Sequence, residues 1–158
     1  MSPRIEFILL SSLLASALAT LGYLCLRGNE GPPGGDVVLV VSPVVAAAVS
    51  AALGAFYAAA LHSRAGQLSS RWTPARLNMH VVLATLAIYP VAVGMGWAIL
   101  ELASDTHASS LADVSYVLML GVTMGVVAVL AGAIPTFVLE YFACHRYLRR
   151  TAATTDHA

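Results

Sequence analysis

Histidine beside a carboxylate is a pairing that readily holds a metal ion or moves a proton. This chain carries two groups of chemistry-bearing residues near the ends of its apolar stretches. The first comprises Glu6, His62, Arg76, Asn78, His80, Glu140 and His145. Brought to one boundary, they would form a metal-binding or acid/base set. Their spacing has little specificity, because neither an H-x-x-x-H nor an H-x-x-E-H pattern occurs. The competing account is boundary anchoring and ion pairing, with Glu140 at the end of its helix and within snorkelling reach of Arg146 or His145. The second group is Glu101, Asp105 and Asp113. Glu101-x-x-x-Asp105 places two carboxylates one helical turn apart, which suits a divalent cation; the plainer account is a solvated acidic loop. Cys25 and Cys144 are too few for a thiolate metal site and form no C-x-x-C pair, so no cofactor is expected.

The elements that position these groups are expected to be membrane-spanning helices. Of 158 residues, 59% are hydrophobic and only 10% are charged, and the mean hydropathy is +0.82. Soluble domains carry about 25% charged residues, so an ordinary soluble fold is excluded. Disorder needs low hydrophobicity and a nucleic-acid binder needs a basic excess, whereas the formal net charge here is zero. All eight basic residues are Arg, and the chain is rich in Ala, Val and Leu, a bias that points to a GC-rich bacterial genome.

A spanning helix needs about 20 apolar residues. Four segments qualify, at about 5–26, 37–61, 77–102 and 114–142, the last with a helical pattern that can continue into Arg149, followed by a basic tail over 143–158. Together they predict a single all-α membrane domain, a four-helix antiparallel bundle. Ala15-Ser16-Ala17 resembles a signal-peptide cleavage site, but the apolar stretch continues to Leu26, which predicts a retained helix. Thr73-Pro74 reads as an N-cap followed by proline at the first helical position. Arg4, Arg64, Arg71, Arg76, Arg146, Arg149 and Arg150 fall on one side of the predicted spans, and only Arg27 falls on the other. The positive-inside rule then places both termini in the cytoplasm of a bacterial inner-membrane protein.

Helices associate in lipid through small residues and a few polar side chains. The alanine-rich second span should sit centrally, and the fourth carries a small-residue ridge of Gly121, Gly125, Ala128, Ala131 and Gly132. That ridge serves either packing within the monomer or a seam with another membrane protein or a second copy. Pro43, Pro90 and Pro135 are expected to interrupt helices structurally. No ionisable residue is expected at mid-span, which argues against a proton-coupled transporter and against a haem carrier.

The expected function is therefore non-catalytic: an accessory or interaction subunit, with the bilayer and another integral membrane protein as partners and no nucleic acid. Immunity proteins to pore-forming bacteriocins are similar in architecture, being small, helical and confined to the inner membrane, although no shared motif is present. Quinone-linked thiol oxidoreductases are excluded by the missing cysteine pairs, and small multidrug exporters by the lack of a deep carboxylate in the first span. One alternative is a small transporter or channel subunit working as an oligomer, with Thr85, Tyr89, Ser115 and Thr123 lining a path. Another is an interfacial enzyme using His80, Glu140 and His145.

Overall fold

The computed structural model describes residues 2–27, 37–65, 72–103 and 111–155. It contains four helices: α1 (Pro3–Arg27), α2 (Val37–Ala65), α3 (Pro74–Ala103) and α4 (Leu111–Thr155). All four are long and apolar enough to cross a membrane, which suggests a multi-pass membrane protein. Each helix packs on the next in the chain, and α4 packs back on α1.

Capping explains two of the starts. Thr73 accepts a hydrogen bond at Oγ1 from the Arg76 amide, 3.3 Å, and Pro74 opens α3 where its missing N–H costs nothing. Ser2-Pro3 repeats the device at α1, with the Ile5 amide 3.4 Å from Ser2 Oγ. The helices continue through Pro43, Pro90 and Pro135 rather than stopping at them. A proline removes a single backbone bond, and apolar flanks leave the chain no better state than helix.

The helical pattern of the fourth span continues past Phe142, and α4 runs on to Thr155, so the basic stretch from 143 to 155 is helical. Hydropathy falls there because arginines appear, but the inward stripe persists: Glu140, Ala143, Cys144 and Tyr147 recur at three- and four-residue intervals and all are buried.

Small residues set the helix separations. A methyl group added at Gly125 would lie 2.6 Å from Pro90 Cα, and one at Gly121 would lie 2.8 Å from Gly94 Cα. The backbones of α3 and α4 are thus in direct contact along that half of the pair. On α2, Ala47, Ser50, Ala51, Gly54, Ala55, Ala58 and Ala59 are all buried, but among the described residues its backbone packs closely on α1 and α3 and not on α4, so it is not the centre of the four helices as the sequence predicts. The main core joins Phe7 of α1, Ala55, Ala58 and Ala59 of α2, Leu77 and Val81 of α3, and Ala143, Cys144 and Tyr147 of α4.

Candidate functional site

On α1, every fourth residue from Phe7 is buried: Phe7, Ser11 and Ala15. That spacing keeps one narrow face toward the bundle while Ile5, Leu9 and Leu13 point outward. Ser11 on this face donates a hydrogen bond from Oγ to Oε2 of Glu140, 2.8 Å, in a setting that leaves Glu140 only 2% exposed. Phe7 stacks on Tyr147 with ring centroids 4.7 Å apart. Glu6, beside Phe7, accepts from Nε and Nη2 of Arg146 at 2.9 and 2.8 Å, and also pairs with Arg150.

Glu140 therefore differs from the sequence expectation in place and in partner. It lies inside a helix that continues fifteen residues beyond it, and Arg146 is engaged by Glu6 instead. Six residues at about 1.5 Å each put Glu140 about 9 Å further along the axis than Arg146. The burial of Glu140 among the helices follows from the face of α4 on which it lies, together with Ala143, Cys144 and Tyr147.

The remaining inner-boundary residues separate into distinct contacts. His62 Nδ1 lies 3.4 Å from the Tyr147 hydroxyl, and its ring meets Trp72 edge-on. Trp72 also packs on His80, with centroids 5.3 Å apart, and lies under the Arg76 guanidinium. His80 Nδ1 is 2.7 Å from the Arg76 carbonyl of its own helix. Asn78 is fully buried and donates from Nδ2 to the Phe137 carbonyl, 2.9 Å, while its Oδ1 has no hydrogen-bond partner among the described residues. His145 is exposed on the outer face of α4. The seven residues share one end of the chain's packing but not one centre. Among the described residues, no three His, Cys, Asp or Glu side chains lie close enough together to hold a metal ion.

Of the acidic group, Glu101 is partly exposed near the end of α3, and Asp113 is exposed in the first turn of α4. A carboxylate there is favoured by the helix dipole. Asp105 lies outside the described residues.

The four polar positions considered for a path do not share a lining. Thr85 is buried against Gly54, and Tyr89 packs beside Ala15 and Ala47. Ser115 and Thr123 are exposed and donate to carbonyls of their own helix, Ala112 and Met119.

What this arrangement does chemically is tie helices together. A carboxyl that is 2% exposed and bonded to a serine offers a substrate no access. The partners Ser11, Phe7 and Tyr147 were missed from the sequence, yet their signal was present. Phe7-x-x-x-Ser11-x-x-x-Ala15 and Glu140-x-x-x-Cys144-x-x-Tyr147 are both interior stripes at helical spacing. No protein-family model, curated protein or solved structure matches the chain.

Proposed function

We propose that the chain is a non-catalytic accessory or interaction subunit of a bacterial inner membrane, acting through helix packing with another integral membrane protein. In this proposal the four helices form an antiparallel bundle inserted with both termini in the cytoplasm. The pairings of Glu6 with Arg146, Ser11 with Glu140 and Asn78 with Phe137 support the antiparallel order. The arginine distribution supports the orientation.

The observation that carries the proposal is the divided use of the α4 ridge. Gly121 and Gly125 are consumed against α3, but Ala128 and Ala131 are exposed, and Gly132 has only the Thr136 hydroxyl of its own helix nearby, at 4.0 Å. Small residues on an uncovered helix face let a second helix approach closely. Around them Val127, Leu130 and Ile134 stand outward. An immunity protein that seats an inserting toxin helix on this face is one specific form of the proposal.

The test is purification in mild detergent followed by identification of what accompanies the chain. One membrane protein in fixed ratio is expected, and Gly132→Leu should release it while the bundle stays folded. Recovery of the chain alone, from native expression levels, sinks the proposal.

A further inference from the structure

We propose that the basic turns of α4 formed by His145, Arg146, Arg149 and Arg150 bind the phosphate of an anionic phospholipid headgroup. The inference rests on the membrane placement proposed above. These four side chains line an open groove of about 360 Å³ on α4. They occur within six residues, so His145 and Arg149, and likewise Arg146 and Arg150, stand one turn apart on the helix.

Like charges one turn apart destabilise a helix unless an anion lies between them. The structure answers this for Arg146 and Arg150. Glu6 bridges Arg146 and Arg150. Among the described residues, no carboxylate lies within ion-pair distance of Arg149 or His145, and both are exposed. Among the described residues, Arg149 therefore keeps an exposed guanidinium with no carboxylate paired to it.

The surface next to it decides what kind of phosphate fits. One to two turns back, Val138, Tyr141 and Phe142 are exposed, and Phe142 is 65% so. Apolar side chains that lead directly into an arginine cluster match a molecule with an acyl chain and a phosphate head. Juxtamembrane basic clusters attract anionic lipid by about 1 kcal/mol per arginine, which is about fivefold in affinity.

Native mass spectrometry of the full chain in neutral detergent, titrated with phosphatidylglycerol and with phosphatidylcholine, tests the proposal. Phosphatidylglycerol should be retained preferentially, and Arg149→Gln should weaken it about fivefold. Glu6→Gln should strengthen it, because the competing carboxylate is gone; a purely structural role for the cluster predicts no gain. Millimolar inorganic phosphate should not displace the lipid. Equal retention of the two lipids, or no effect of Arg149→Gln, overturns the proposal. Displacement by inorganic phosphate overturns the lipid assignment in favour of a soluble phosphate. Flotation with vesicles of pure phosphatidylcholine separates the two levels of inference. A chain that floats but shows no headgroup preference defeats only the lipid site, whereas one that fails to float defeats the membrane placement.

Discussion

Glu140 is the residue on which most of the interior chemistry turns. Its carboxyl joins α4 to α1 through Ser11 with an oxygen–oxygen distance of 2.8 Å. Removing it by Glu140→Ala empties buried volume and strands the Ser11 hydroxyl, a loss of about 2–3 kcal/mol. Glu140→Gln keeps the volume and an acceptor oxygen, so the cost should stay below about 1 kcal/mol. Ser11→Ala should cost about 1 kcal/mol, in the range of single side-chain hydrogen bonds between membrane helices. Reversible unfolding by increasing sodium dodecyl sulfate in mixed micelles measures all three. No loss for Ser11→Ala would show that the hydrogen bond contributes nothing. Ser11 and Glu140 are 129 positions apart in the chain, so no local rule pairs them. What the sequence does show is that each lies on a buried stripe.

At the scale of elements, the α3–α4 pair depends on glycine for separation. Gly125→Leu would drive a side chain into Pro90 and should prevent the two helices from packing, read as loss of a monodisperse species on size exclusion. Gly125→Ala should destabilise by about 1–3 kcal/mol, the usual range for an inserted methyl in a packed interface. Gly132→Ala is the control. Its added methyl would meet only the Thr136 hydroxyl at 4.0 Å, and alanine is the better helix former by about 1 kcal/mol. It should therefore leave the fold unchanged or slightly more stable. If both alanine variants behave alike, the ridge is not divided as the structure describes. The end of α4 belongs to this scale too. Hydropathy sees arginines after Phe142 and stops, whereas Tyr147 and Cys144 continue the buried stripe. A helix persists as long as one face is buried, even after its other faces have turned polar.

For the whole molecule, the proposed orientation makes the two cysteines opposite in behaviour. Cys25 is exposed and Cys144 is buried, and both are free thiols. In intact cells with a permeable outer envelope, a membrane-impermeant maleimide should label Cys25. Cys144 should react only after denaturation. Labelling of Cys144 ahead of Cys25 would reverse the proposed orientation or undo the inner core. A double-cysteine variant at Ser12 and Ala48, whose side chain and carbonyl lie 3.2 Å apart, should crosslink within the monomer. Failure to do so would count against the α1–α2 packing.

Four separated apolar spans, a helical class, the Thr73 cap and the sorting of arginines are all legible in the amino-acid sequence, because each depends on local composition or on transfer to lipid. The fate of the inner-boundary residues is not. Which of two carboxylates would meet Arg146 was decided by how α1 lies on α4, and this left Glu6 at the ion pair and Glu140 inside. The glycines of one ridge were likewise indistinguishable until α3 covered two of them and left the rest open. Hydrophobicity acts residue by residue, so a chain read in order can reveal it. Pairing between residues over a hundred positions apart depends on the rotation and register of packed helices, and only the tertiary structure sets those.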